Sequence, residues 1–337
     1  LLSRGLGDVY KRQLLVIDES STVSNSDMRK VLGKANYQLL LLVGDTYQIS
    51  SIRFGNWFSV ARKFILETSV FKLTIPYRSN DDNLKLLWKR VRNMDDTILE
   101  LIARQEYSIT LDASIFDNAE DDEVILCLNY DGLYGINNIN RFLQESNPND
   151  AVQWGIQQYK IGDPILFNES DRFAPVIYNN MKGKIVGIEV VNPDDVAGYI
   201  QFDIELNKVI NGMDALMQDF DLLENSQCGN SVIRFKVYKT RSTDEDDEGS
   251  SRAVVPFQVA YALSIHKAQG LEFRSVKIVI TDEVDELITH NIFYTAITRA
   301  QSKLRIYWTP EVENKVLTSI QPRSINKDVG LLRRYIR

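Results

Sequence analysis

The stretch that most restricts this chain is Leu14-Leu-Val-Ile17, then a helical pattern through Met28, Val31, Leu32 and Ala35, then Leu39 to Val43. Strands that are apolar throughout, separated by a helix, predict a parallel sheet covered on both faces. Each strand runs into acid, Asp18-Glu19 after the first and Gly44-Asp45 after the second. Ligands of open α/β sheets bind beyond the carboxyl ends of the strands, so both acidic groups fall on the functional edge.

The same logic applies further along. Val124 to Leu128 reads as a strand and Ile139 to Leu143 as part of a helix. Phe257 to Leu263 reads as one buried strand, Ile265 to Gly270 as a polar turn, and Val276, Ile278 and Ile280 as positions of the next strand. Phe293, Ala296, Ile297 and Ala300 make one face of a predicted helix. Thr295 and Arg299 then share another face at i,i+4 spacing, leaving Arg299 free to point across a cleft. Between these parts, strand patterns at Lys184 to Val190, Tyr199 to Glu205 and Val232 to Tyr238 predict a small barrel or twisted sheet.

At 337 residues and 44% hydrophobic, the chain can bury about two ordinary cores. Its strongest apolar run, Leu39 to Val43, is far short of the roughly 18 residues of a membrane span. Cys127 and Cys228 cannot build a disulfide framework or a paired metal site, which argues for a reducing cytoplasm. The net charge of -7 looks unsuited to nucleic acid, but Glu120 to Glu123 and Asp244 to Glu248 hold nine acids, more than the whole deficit. Such runs are solvated loops, so charge neither supports nor excludes DNA.

Five segments, in order, resemble the motifs of superfamily 1 helicases of the UvrD/RecD-like group. Leu14-Leu-Val-Ile-Asp-Glu-Ser20 resembles the Walker B element, Val43-Gly-Asp-Thr-Tyr-Gln48 the Gly-Asp-x-x-Gln motif, and Tyr77-Arg78-Ser79 the arginine motif that follows. Ser264-Ile-His-Lys-Ala-Gln-Gly-Leu-Glu272 and Tyr294-Thr-Ala-Ile-Thr-Arg-Ala300 resemble the fifth and sixth motifs. The resemblance covers about Leu14 to Trp308 and is strongest toward the RecD branch.

It implies an α/β P-loop NTPase with two RecA-like lobes, the first incomplete, and a small β-rich SH3-like insertion in the second. The implied activity is ATP-dependent translocation on single-stranded DNA with unwinding of duplex DNA, in the 5′→3′ direction, with ATP and Mg²⁺ as cofactors. Asp18 would serve Mg²⁺ and Glu19 the attacking water. Gln48 would sense the γ-phosphate, while Arg78 and Arg299 would meet the charge that develops on it; such arginine fingers are worth about 10³ to 10⁵ in rate. Gly270 and Glu272 are assigned toward the nucleotide, and Ser264 and His266 toward DNA. Phe54 takes a stacking position used by relatives, although Arg53-Phe54 departs from the UvrD wording. Trp57 is assigned to core packing.

One element is missing. No Gly-x-x-x-x-Gly-Lys-Ser/Thr loop occurs in the sequence; Gly33-Lys34-Ala35 and Gly183-Lys184-Ile185 lack both the upstream glycine and the hydroxyl. Without that loop the chain as given is expected not to hydrolyse ATP, and truncation accounts for the gap. Leu1 to Gln13 reads as translated sequencing adapter, with a natural frayed tail as the alternative. The expected organisation is residues 1–13 as this scar, 14–80 as part of lobe 1A, 81–120 as a helical connector, 121–160 with 256–337 as lobe 2A, and 161–255 as the 2B-type insertion. No membrane is expected, and the sequence names no protein partner. Two other functions remain open on the sequence: a non-motor nucleic-acid-binding protein on a helicase scaffold, and an RNA-directed NTPase.

Overall fold

The computed structural model describes residues 14–34, 37–51, 56–117, 122–168, 171–192, 195, 197–216, 218–239, 252–282, 288–321 and 325–335. In chain order its elements begin with β1 (Leu14–Ile17), α1 (Asn25–Lys34), β2 (Leu39–Leu42), α2 (Trp57–Ala61), α3 (Asp82–Asn93), α4 (Ile98–Arg104) and β3 (Ser108–Thr110). There follow β4 (Glu123–Cys127), α5 (Ile136–Ser146), β5 (Ala151–Trp154), β6 (Gln157–Lys160), β7 (Pro164–Phe167), β8 (Lys182–Val191), β9 (Tyr199–Leu206), α6 (Gly212–Ala215), β10 (Asp221–Leu222), β11 (Val232–Tyr238), β12 (Phe257–Val259) and β13 (Ala262–Ser264). The chain ends with β14 (Phe273–Val279), α7 (His290–Ile297), β15 (Ala300–Trp308), α8 (Pro310–Ser319) and α9 (Asn326–Tyr335). Two compact units divide it: the described residues up to Asp112 with those from Ala268 onward, and Ala113–Lys267.

In the first unit β1 and β2 are parallel, in register from Leu14↔Leu39 to Ile17↔Leu42. The expectation that this sheet is covered on both faces is corrected: Leu14, Val16, Leu39 and Leu41 are 47% to 62% exposed. Their neighbours along each strand are only half-buried, so the described residues cover one face alone. Phe71 to Tyr77 is also exposed, and none of the described strands pairs with it.

A second parallel group, β14, β15 and β3, is better buried, with Val276 opposite Leu304 and Ile306 opposite Ser108. The stretch expected as a helical connector therefore holds two helices and a strand. Asp81 caps α3 by accepting from the Asn83 and Leu84 amides, which satisfies two of the donors a helix start leaves open. Leu84, Leu87, Trp88 and Val91 then fall on one buried face of α3. That face meets α7: the Trp88 indole donates to Ile297 O at 3.1 Å, and His290 Nε2 lies 2.7 Å from Val91 O.

In the second unit β4 and β13 are parallel, and α5 is tied to β13 through Asn140, which accepts from Ala262 N and donates to Ala262 O. A six-stranded antiparallel sheet in the order β10-β11-β9-β8-β7-β12 carries the three strands expected at 184–190, 199–205 and 232–238. Its core is aromatic, built on Tyr159, Phe167, Phe173, Phe202, Phe235 and Phe257.

The single strand expected over Phe257 to Leu263 is corrected to two. β12 pairs with β7, and at Ala260-Tyr261 the backbone changes partner: Ala260 N donates to Pro164 O, while Ile125 N donates to Tyr261 O. A buried carboxylate sits beside this crossing. Asp163, with no exposed surface, accepts from Gln144 Nε2, Asn147 Nδ2, the Lys160 amide and Tyr261 Oη. Four donors let the charge remain buried.

Candidate functional site

β1 delivers Asp18 and Glu19 to the sheet edge, where the backbone turns abruptly. Glu19 adopts a left-handed conformation, φ 47° and ψ 38°, which is uncommon for a residue with a Cβ. The turn is fixed by Ser20, whose amide donates to Val43 O and whose hydroxyl donates to Ile17 O, and by Asp18 Oδ1 accepting the Glu19 amide. Burial pushes the Glu19 carboxyl above its ordinary value. Arg299 pulls it back, Asp18 pushes it further up, Arg78 lowers it and Asp45 raises it. The residue is thus placed in a field shared by three carboxylates and two guanidinium groups.

The β2 strand leads into Gly44 to Ile49, a loop held by three other segments. From α7, Asn291 Nδ2 donates to Gln48 O at 2.7 Å and to Thr46 O at 3.2 Å, and Thr295 Oγ1 accepts the Ile49 amide at 2.9 Å. Gln269, in the turn before β14, donates to Ile49 O at 3.1 Å. The Arg92 guanidinium lies 4.6 Å from the Tyr47 ring centre and 3.6 Å from Asp45 Oδ1. The loop backbone is fastened, yet Oε1 of Gln48 is buried without a protein partner. A buried acceptor left open is costly; Ser21 Oγ, Asn25 Oδ1 and Arg92 Nε share that condition among the described residues.

Arg299 differs from expectation. α7 ends at Ile297, Thr298 is its C-cap and Ala300 already belongs to β15, so Arg299 occupies the turn between helix and strand. It is not free over a cleft but fully buried, its guanidinium donating to Thr295 O, Leu271 O and Thr298 Oγ1. The helix ends too early for an i,i+4 face to include it, and carbonyls left open at the helix end draw the guanidinium inward. Burial, reinforced by neighbouring Arg78, lowers its pKa to about 10, with Glu19 and Glu272 opposing that shift. Arg78 donates from Nε to Glu272 at 3.1 Å and from Nη1 to Thr298 O at 2.8 Å.

Asp18, Glu19, Gln48, Arg78, Gly270, Glu272 and Arg299 therefore all lie in the first unit. Gly270 has φ +79°, a conformation favouring glycine. Ser264 and His266 belong to the second unit, where buried Ser264 accepts the Lys267 amide. Phe54 lies outside the described residues. Trp57 is half-buried, donating to Val23 O and packing edge-on against Phe58, in keeping with a packing role.

A magnesium ion asks for one or two carboxylates, with water and phosphate completing its octahedron. Asp18, with Asp45 in the same field, fits that demand without a protein cage, and among the described residues no cluster of three or more metal-ligating side chains occurs. Asn291, Thr295, Gln269 and Arg92 were not singled out as functional by the sequence. The i,i+4 spacing of Asn291 and Thr295 was the available sign, and it pointed at a shared face without revealing what that face holds.

Comparison with known proteins gives a consistent picture. Residues 259–307 match the UvrD-like helicase C-terminal domain, and residues 3–110 match an AAA domain. The RecBCD enzyme subunit RecD of Mycolicibacterium smegmatis is 22% identical over 95% of this chain, which spans 54% of that protein. An uncharacterized Methanocaldococcus jannaschii protein is 23% identical over 91% of the chain, which spans 30% of it. The crystal structure of Pif1 helicase from Candida albicans superposes with a TM-score of 0.58 at 17% identity, covering 99% of this chain and 80% of that one. The fold is that of α/β proteins of the P-loop NTPase class. Within that class the chain is similar to superfamily 1 helicases of the RecD and Pif1 kinds, and it spans about half or less of the length of the curated relatives named here.

Proposed function

We propose that this chain is the motor portion of an ATP-dependent DNA helicase or translocase, coupling ATP hydrolysis to movement on single-stranded DNA and to opening of duplex DNA. One observation carries the reading: Glu19, Arg78 and Arg299 share one electrostatic cluster beside a loop whose Gln48 keeps a buried acceptor open. A Pif1 structure from Bacteroides, described as a complex with ADP-AlF3 and ssDNA, has the same fold at a TM-score of 0.53 and 15% identity, covering 99% of this chain and 77% of that one. That likeness lends the proposal its nucleotide and its track.

The roles follow from chemistry. Mg²⁺, when bound, would neutralise phosphate charge. Asp18 would hold it. Glu19 would orient the attacking water and receive its proton, a task eased by a carboxyl pKa moved upward toward neutrality. Gln48 would turn its open Oε1 toward that water, and the clamp from α7 would carry the loop's position to Arg299. Arg78, held by an exchangeable bridge to Glu272, would transfer to the phosphate, and Arg299 would add fixed positive charge where the transition state needs it. Ser264 and His266 would face DNA, with Gly270 giving the intervening turn its shape. In this scheme 14–80 serves lobe 1A, 121–160 and 256–337 serve lobe 2A, and 161–255 is the 2B-type insertion. No described helix is long and apolar enough to cross a membrane, and free Cys127 and Cys228 suit a cytoplasmic setting.

The test is ATP hydrolysis with and without single-stranded DNA, in a protein carrying this chain together with a Gly-x-x-x-x-Gly-Lys-Ser/Thr loop. Stimulation by DNA supports the proposal; turnover indifferent to DNA, or stimulated by RNA alone, overturns it.

A further inference from the structure

We propose that Arg92, in the last turn of α3, is a positioning residue for the Gln48 loop, acting on the reaction through Tyr47 and Asp45. Its effect on turnover rests on the motor reading, and its effect on the loop rests on geometry alone.

Tyr47 is the handle by which two helices hold that loop. The Arg92 guanidinium lies over its ring at 4.6 Å from the centre. From α7, His290 and Tyr294 meet the same ring, with centres 6.0 and 6.2 Å away and interplanar angles of 69° and 59°. Those two side chains are themselves stacked, at 6.1 Å and 11°. The helices are joined next door, where His290 Nε2 lies 2.7 Å from Val91 O. The ring is therefore gripped by a cation from one helix and two rings from the other, contacts that each prefer a defined geometry.

The same guanidinium reaches the loop backbone through Asp45. Asp45 Oδ1 lies 3.6 Å from Arg92 and accepts the Tyr47 amide at 3.0 Å, while Asp45 O accepts the Gln48 amide at 3.2 Å. Arg92 thus bears on the residue before Gln48 through both its ring and its amide.

Two features separate Arg92 from an ordinary helix-end arginine. A cation in the last turn usually serves the helix's own open carbonyls, but Arg92 faces the loop. Its Nε is also buried without a partner among the described residues, which costs stability. The stack on Tyr47 and the approach to Asp45 fix the guanidinium plane, and the open Nε is what that plane leaves over. In the proposed scheme Gln48 meets the attacking water, so a displaced loop weakens a contact made in the transition state. Turnover then falls while ATP binding is kept.

Hydrogen exchange on the full chain reads the loop directly. Arg92→Met keeps the apolar stem and removes the cation, and it should quicken exchange at the Tyr47 and Gln48 amides by about tenfold. Protection kept at the β14 and β15 amides shows that the variant folds. Unchanged exchange at Tyr47 and Gln48 overturns the grip. In a protein that carries this chain and a phosphate-binding loop, Arg92→Met should lower kcat by about tenfold and leave KM for ATP within about twofold. Arg92→Lys, which keeps a cation over the ring and loses the planar stack, should fall between it and the parent. In a Tyr47→Leu background the Arg92→Met loss should shrink to about twofold or less. A raised KM with kcat intact, or the full loss in that background, overturns the positioning role. A parent that turns over no ATP overturns the motor reading instead, and the exchange result still decides whether Arg92 holds the loop.

Discussion

Replacing Thr295 by valine tests whether α7 truly holds the Gln48 loop. Thr295 has no exposed surface, Ile49 is 5% exposed, and the Ile49 amide donates to Thr295 Oγ1 at 2.9 Å. Valine keeps the shape and removes the acceptor, so a buried N–H loses its partner at about 1–3 kcal/mol. Taking about 2 kcal/mol, and about 2–4 °C per kcal/mol for a unit of this size, the melting temperature should fall by about 4–8 °C. The local effect is more diagnostic. Hydrogen exchange at the Ile49 amide should quicken by roughly 30-fold, the equivalent of about 2 kcal/mol, while the β14 and β15 amides change only by the global loss. Thr295→Ser restores the oxygen and should restore protection. An Ile49 amide that exchanges in Thr295→Val as it does in the parent would refute the clamp.

Two further predictions concern the carboxylates. Burial raises the Glu19 pKa above 4.5, so its contribution to stability is full below the unfolded value and is lost as pH rises through the folded one. Glu19→Gln should therefore melt higher than the parent at pH 7 and the gap should close below about pH 4.5; a gap that is constant with pH contradicts the raised pKa. In the second unit Tyr261 Oη donates to Asp163 at 2.9 Å, and three other donors remain on that carboxylate. Tyr261→Phe should cost about 1.5–3 kcal/mol in urea unfolding, and a null effect removes Tyr261 from the network.

The parallel strands were legible because their residues are apolar without alternation, and the antiparallel strands because theirs alternate. Sequence could not show that the described residues leave one face of β1 and β2 exposed, since a pattern states what a strand can bury and not which residues lie over it. The break at Ala260-Tyr261 was hidden for a related reason: Phe257 to Leu263 is apolar enough for one strand, and the change of partner is decided by Pro164 and Ile125, far away in sequence. Among the candidate site residues, Asp18, Glu19, Gln48, Arg78 and Arg299 were proposed through motif order. The surroundings of Arg299 were not, because periodicity extended the helix past Ile297 and so gave the arginine an exposure it lacks. Asn291 and Arg92 act on backbone and on a ring, and contacts of that kind leave little trace in local pattern.

The central claim is that the buried Arg299 serves the chemistry of ATP rather than the grip on DNA. The direct measurement is DNA-stimulated ATP turnover alongside single-stranded DNA affinity, for Arg299→Ala and its parent, in a protein that carries this chain and a phosphate-binding loop. The account predicts turnover lower by about 10³-fold or more with DNA affinity nearly unchanged. Turnover preserved while DNA binding is lost would contradict it.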